Sequence, residues 1–288
     1  MKIIDILNTK KISVSCELFP PKHGSQLDSV KTVVRETAAL FPSFISITYG
    51  AGGGTGDSTV QLANEAQNVC GITALAHLTC VSHSRDTVKN ILAKLKALSI
   101  ENILALRGDI PEGSNYPVQG YYRYASEMIT EISNYGGFCI GGACYPEGHP
   151  ESATLQKDME NLKIKVDSGC QFLTTQMFFD NNILYNFMFR LLKYGINVPV
   201  IAGIMPVING KQISHICKLS GTVLPPRFKA IVDKFSGNPA AMKQAGVAYA
   251  TEQIIDLIAN GVEHIHIYTM NKPEIAGRII NNLSEIFV

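Results

Sequence analysis

Glu17 stands in "ISVSCELFPPK", residues 12–22, where Val14, Cys16 and Leu18 read as buried strand positions. An acid among them, followed at once by Pro20 and Pro21, does not fit a plain core strand. The prolines end the strand, because neither donates a ladder hydrogen bond. Glu17 then falls at the strand's carboxyl end, in low-dielectric surroundings that favour the protonated acid. A carboxyl in that state donates a proton at neutral pH. The alternative is a structural glutamate, ion-paired with Arg107.

Polar residues recur near other strand-like ends. They are Thr48 with Tyr49, His77 with Thr79, Arg107 with Asp109, Tyr145, Gln176, and Tyr268 with Thr269. One alone says little, but the set converging on one rim points to a functional site. The run "GAGGGTG" at 50–56 fits neither G-x-G-x-x-G nor a P-loop. It reads as a rim loop that lets a ligand approach closely and can move as a lid. "RGD" at 107–109 reads as a strand-end turn. His264 and His266 share a strand face before the mouth, and His77, Cys80 and His83 lack a zinc spacing. Core or hydrogen-bonding roles are expected for them, and no metal site.

These residues need elements to hold them. Strands are read at 11–18, 43–50, 71–79, 102–108, 138–145, 170–177, 198–205 and 264–270. They are short, rich in Ile, Val and Leu, and apolar on both faces, as parallel strands covered by helices are. Helical patterns lie between them. One starts at an N-cap Ser84, one runs from Thr154 to Gly169, and a long one ends at Gly261. "LPPRFKAIVDKFSG" reads as an extra helix between strands seven and eight. The α/β alternation predicts a (β/α)8 TIM barrel over residues 1–288, one catalytic domain, with a doubly wound sheet as competitor. In such a barrel, chemistry sits at the carboxyl ends of the strands.

The 288 residues are 46% hydrophobic and 17% charged, enough for a large core, and the net charge of +1 points to neither nucleic acid nor an anionic membrane surface. The longest apolar stretch, "VPVIAGIMPVI", is too short to span a bilayer and holds two prolines. "MKIIDILNTKK" lacks the apolar core of a signal peptide. The seven cysteines are scattered, without a C-x-x-C pair, which favours reduced thiols and a cytoplasmic location.

Ten stretches in order, "CELFPPK", "SITYGAGG", "AHLTC", "ALRGD", "YASEM", "ACYPEGHPE", "LKIKVDSG", "TTQMFFD", "GIMPV" and "IYTMNK", resemble the bacterial 5,10-methylenetetrahydrofolate reductases in their short, catalytic-only form. The resemblance covers almost the whole chain. It implies an FAD-bound barrel that reduces 5,10-methylenetetrahydrofolate to 5-methyltetrahydrofolate in ping-pong fashion. NADH or NADPH first passes hydride to FAD and leaves. The folate then takes hydride from flavin N5 at its methylene carbon. Ring opening to a 5-iminium cation needs an acid at N10, and Glu17 occupies the family's general-acid position. Asp109 matches the acid close to flavin and pterin, where a negative charge stabilises the cation. The resemblance implies FAD contacts from Thr48, His77, Arg107, Gly108, Asp109, Tyr124, Ala125, Tyr145, His149, Asp158, Asn161 and Lys165. Arg107 and Lys165 suit the pyrophosphate, and Asp158 and Lys165 share a helix face. Gln176 and Tyr268 match folate positions, and Gln212 and Lys272 match positions near its tail. Lys272 stands where many relatives carry Arg, so the bidentate fork for a carboxylate is lost. The family also implies a homo-oligomer. Two alternatives remain: a flavin-free pterin-binding methyltransferase barrel, and a barrel subunit working with an iron–sulfur partner. The chain has no cluster-binding cysteine pattern of its own.

Overall fold

The computed structural model describes residues 1–21, 26–49, 56–81, 83–110, 113 and 116–287. Its strands are β1 (Ser13–Leu18), β2 (Phe44–Ile47), β3 (Ala74–Thr79), β4 (Asn102–Leu106), β5 (Cys139–Cys144), β6 (Phe172–Thr175), β7 (Val200–Ile204) and β8 (His264–Tyr268). They pair in parallel in chain order, and β8 closes on β1. The closed ring excludes the doubly wound sheet. Each strand lies within its expected segment and is shorter than or as long as it.

The helices are α1 (Ile3–Thr9), α2 (Leu27–Ala38), α3 (Gly56–Asn64), α4 (Arg85–Ala97), α5 (Ala125–Tyr135), α6 (Leu155–Asp167), α7 (Asn181–Lys193), α8 (Gly210–Ser220), α9 (Pro226–Phe235), α10 (Pro239–Ala259) and α11 (Pro273–Asn282). Two of them, α4 and α6, start at the caps read from sequence. Ser84 accepts from the Thr87 N–H at 3.2 Å, and Thr154 from the Lys157 N–H at 3.1 Å. The expected extra helix is α9. Before it lies α8, which sequence reading does not anticipate, because its one fully buried residue is Ile213 and its apolar stripe is thin.

α1 is equally unforeseen. Seven residues cannot show a helical period or stand alone in water. Tertiary burial forms it: Ile3, Ile6 and Leu7 pack into the lower end of the barrel against Phe44, Leu75, Leu104, Cys139, Phe172 and Ile201. Asn102 pins this plug. Its Oδ1 accepts the Ile3 N–H at 2.8 Å, and its Nδ2 donates to Met1 O at 3.1 Å and Ala74 O at 3.2 Å.

The outward faces of the strands join the helices in the main core. Above the plug, however, the inward face turns polar, which corrects the expectation of strands apolar on both sides. Ser13, Ser15 and Glu17 on β1 run in register with His264, His266 and Tyr268 on β8. The paired serines and histidines bond across, at 3.0 Å for Ser13–His264 and 2.7 Å for Ser15–His266. Polar groups buried inside a barrel need such partners.

Candidate active site

The strands open at their carboxyl ends into a cavity of about 1470 Å³. Glu17 lies in it, with Oε2 3.7 Å from His77 Nε2 and 3.5 Å from His266 Nε2. His77 is buried on β3, and burial pushes its imidazole down to about 4, against the pull of the Glu17 charge. It is therefore neutral at pH 7, and its Nε2 bonds Ser46 Oγ at 2.5 Å. His266 is held from its other side. Ser15 Oγ donates to Ile265 O at 3.1 Å, which leaves it to accept from His266 Nδ1 at 2.7 Å. With Nδ1 so engaged, the His266 Nε2 faces Glu17 Oε2.

Arg107 is not the partner of Glu17. At the end of β4 it makes a bidentate pair with Glu151, at 2.5 and 2.7 Å, and bonds Gly108 O at 3.2 Å. The guanidinium holds the Glu151 carboxyl below its usual range. Asp109 follows on the exposed lip and lines the cavity. The Glu151 N–H donates to His149 Nδ1 at 3.1 Å, so the neutral His149 ring carries its proton on Nε2. Burial, then Arg107, push His149 down and keep it neutral. The Tyr145 ring packs edge-on against His149, centroids 4.6 Å apart, and burial raises its phenol.

A cationic wall completes this side. Lys165 on α6 donates from Nζ to Ala143 O at 2.6 Å, and burial lowers its pKa. Gly142 makes this reach possible, since a Cβ there would stand 2.9 Å from Lys165 Cδ. Asp158 and Asn161 line the cavity from the same helix, as the helical spacing predicts, and Asp158 accepts from Ser152 Oγ at 3.0 Å. Thr48, Gly108, Tyr124 and Ala125 line it too.

Opposite, Gln176 continues β6. Its Oε1 accepts the Met177 N–H at 3.0 Å, which leaves the amide nitrogen for a ligand. Tyr268 donates to Thr175 O at 2.6 Å, and burial holds its phenol well above the ordinary range, hence neutral. Its ring crosses the barrel where β7 has Gly203. A Cβ there would stand 2.5 Å from Thr175 O and 2.6 Å from Tyr268 Cε2.

Gln212, on α8, and Lys272, before α11, are exposed and do not line this cavity. Lys22 and residues 50–55 of the glycine run lie outside the described residues. Thr269 supports the backbone, donating to Glu17 O at 2.6 Å. His83 bonds the Tyr49 hydroxyl at 2.7 Å, and burial pushes the Cys80 thiol up to about 12. The described residues contain no group of three or more His, Cys, Asp or Glu placed to hold a metal ion. All seven cysteines are free thiols.

Sequence reading missed four supports: Ser15, Ser46, Glu151 and Asn271. It also placed His266 short of the mouth. Asn271 clasps the exit of β1, accepting the Phe19 N–H and donating to Phe19 O, each at 2.9 Å. The signal for Ser15 and His266 was present. Ser13-x-Ser15-x-Glu17 and His264-x-His266-x-Tyr268 each put three polar groups on one strand face.

Comparison with known proteins agrees with this architecture. A family model for methylenetetrahydrofolate reductase matches residues 2–284. The chain is 34% identical over 273 residues to the 5,10-methylenetetrahydrofolate reductase of Escherichia coli, covering 95% of this chain and 91% of that one. The Pectobacterium carotovorum enzyme of the same name is 33% identical, covering 95% and 90%. Methylenetetrahydrofolate reductase (NADH) 1 of Zea mays is 34% identical across 99% of this chain but 50% of its own length. The chain thus spans about half the length of the plant relatives it matches. A solved structure is described as an uncharacterized protein from Clostridium thermocellum that binds two copies of 5-methyl-5,6,7,8-tetrahydrofolic acid. It shares the fold at TM-score 0.64 and 15% identity, covering 98% of this chain and 97% of its own. No described helix is long and apolar enough to cross a membrane. On the family match and the bacterial identities together, the chain belongs to the methylenetetrahydrofolate reductase family.

Proposed function

We propose that this protein reduces 5,10-methylenetetrahydrofolate to 5-methyltetrahydrofolate, with FAD as resident cofactor and NADH as electron donor. The observation that carries the reading is one cavity holding an acid between two buried histidines, the Gln176 amide nitrogen with no partner among the described residues, and the Arg107 and Lys165 side chains. The donor follows the wording of the plant relative's name.

The residues present fit a flavin dinucleotide. The cavity exceeds the roughly 300–1,000 Å³ of a site for one drug-sized ligand. The Lys165 ammonium reaches into it past Gly142 and bonds a single carbonyl among the described residues, so it can still donate to a pyrophosphate. Arg107 would join it. Thr48, His77, Gly108, Asp109, Tyr124, Ala125, Tyr145, His149, Asp158 and Asn161 would line the remainder. When bound, the flavin supplies the hydride.

The chain's own residues handle the proton. Breaking the bond between N10 and the methylene carbon leaves a 5-iminium cation and an amine at N10. Glu17 gives N10 its proton and is left as a carboxylate beside the cation. His266, oriented by Ser15, holds the carboxyl in place and can return a proton to it. His77 stays neutral and does not compete as a cation. Asp109 adds negative charge at the lip. Gln176 orients the pterin, and Tyr268 remains a neutral phenol throughout.

Purified protein examined without oxygen tests this. It is expected to carry FAD, to be reduced by NADH, and to be reoxidised by methylenetetrahydrofolate with formation of 5-methyltetrahydrofolate. A colourless protein that takes up no FAD, yet passes a methyl group to a corrinoid or thiol acceptor, overturns it.

A further inference from the structure

Arg107 and Glu151 line the same cavity but come from different elements. Arg107 follows β4, and Glu151 lies in the loop between β5 and α6. Three of the five N–H groups of Arg107 are taken. Nη1 and Nη2 donate to the two Glu151 oxygens at 2.5 and 2.7 Å, and Nε donates to Gly108 O at 3.2 Å. The other two have no partner among the described residues. The Arg107 side chain is 21% exposed and that of Glu151 57%. An ion pair with one partner so open adds little to the stability of a fold. Stability therefore does not account for a two-point match between guanidinium and carboxylate on a cavity wall. Orientation does. A free arginine side chain has many rotamers, and the fork removes that freedom before a ligand arrives. Water screens the open side of Glu151, whereas the guanidinium is mostly out of solvent. The same loop steadies its neighbours: the Glu151 N–H donates to His149 Nδ1 at 3.1 Å, and Ser152 Oγ donates to Asp158 at 3.0 Å.

We propose that Glu151 is a positioning residue of the dinucleotide site, its carboxylate holding the Arg107 fork so that the two remaining N–H groups are ready for the ligand's phosphates. The inference rests on the FAD reading above. Because the carboxylate acts through Arg107, its effect depends on Arg107 being there. With Arg107 in place, removing the charge frees the guanidinium and loses the prepared geometry. With Arg107 gone, the same carboxylate stands bare in a cavity that takes an anion, and removing it helps binding. One substitution thus has opposite signs in two backgrounds. A purely structural tie would show no gain in the second background, and a direct ligand contact by Glu151 would show a loss in both.

The full chain freed of flavin tests this, as the parent, Glu151→Gln, Arg107→Ala and the double variant, by calorimetric titration with FAD and by thermal unfolding. Glu151→Gln keeps the N–H to His149 and so isolates the carboxylate. It is expected to weaken FAD binding about tenfold, and Arg107→Ala to weaken it about 10–100-fold. The double variant should bind FAD about threefold more tightly than Arg107→Ala alone. Without flavin, Glu151→Gln should melt within about 3 °C of the parent, as loss of an exposed pair allows. FAD affinity unchanged or raised in Glu151→Gln overturns the assignment, the raised case making the carboxylate a competitor for Arg107. A double variant no tighter than Arg107→Ala overturns it as well, and so does a larger fall in the flavin-free melting temperature. A parent that binds no FAD sinks the flavin reading itself, and this inference with it. A parent that binds FAD while the cycle fails sinks the role of Glu151 alone.

Discussion

The chemistry at Glu17 depends on how its two imidazole neighbours are held. His77 is neutral because it is buried, and His266 is aimed by Ser15. Glu17→Gln preserves shape but removes the proton for N10. Stopped-flow measurement should find reduction by NADH within a few-fold of the parent and the folate half-reaction slower by about 10²–10⁴. Equal loss in both half-reactions would contradict the role. His77 also ties stability to pH. Its folded value, about 4, lies below the ordinary 6.5, so the unfolded chain binds more protons between those limits. The stabilisation is complete above pH 6.5 and is lost as pH falls toward 4, by about 3 kcal/mol. Burial lowers His83, His149 and His264 in the same direction, which steepens the fall. Urea midpoints at pH 7 and pH 4.5 should differ accordingly, and His77→Asn should narrow the gap.

Elements position these side chains through contacts that local sequence does not advertise. The α1 plug depends on Asn102, whose amide serves the backbones of Met1, Ile3 and Ala74. Asn102→Ala strands a buried N–H and opens space, and should cost about 3 kcal/mol in urea unfolding. At the other end, the Asn271 clasp on Phe19 fixes the exit of β1, two residues beyond Glu17. Asn271→Ala should slow the folate half-reaction about tenfold through misplacement of Glu17, with the NADH half-reaction little changed. The long helices were legible in the sequence because caps and period are local: Ser84, Thr154 and Asn238 all cap as their residue types dictate. α1 and α8 were not, because a short or thinly apolar helix is decided by what it packs against.

At the scale of the molecule, barrel closure brings polar side chains from strands and helices spread along the chain to one cavity. Ligand binding there should stabilise the whole fold by mass action. FAD should raise the melting temperature of flavin-free protein, and Lys165→Met should weaken FAD binding roughly 10–100-fold, as loss of a charge-assisted hydrogen bond does. The FAD-dependent rise should shrink to match, and an undiminished rise would remove Lys165 from the pyrophosphate site. Sequence by itself determined the eight strands, the helices α4, α6, α9 and α10, and the placement of Glu17, Gln176 and the α6 face at the mouth. Periodicity, capping and strand ends are properties of near neighbours, and the polar residues at those ends carried the resemblance. Only the tertiary structure decided that His266 meets Glu17, that Arg107 turns to Glu151, and that Gln212 and Lys272 stay outside the cavity. Those outcomes depend on register and on loop paths. Ser15 and His266, bonded across β1 and β8, are 251 positions apart, a distance over which only closure of the barrel carries information.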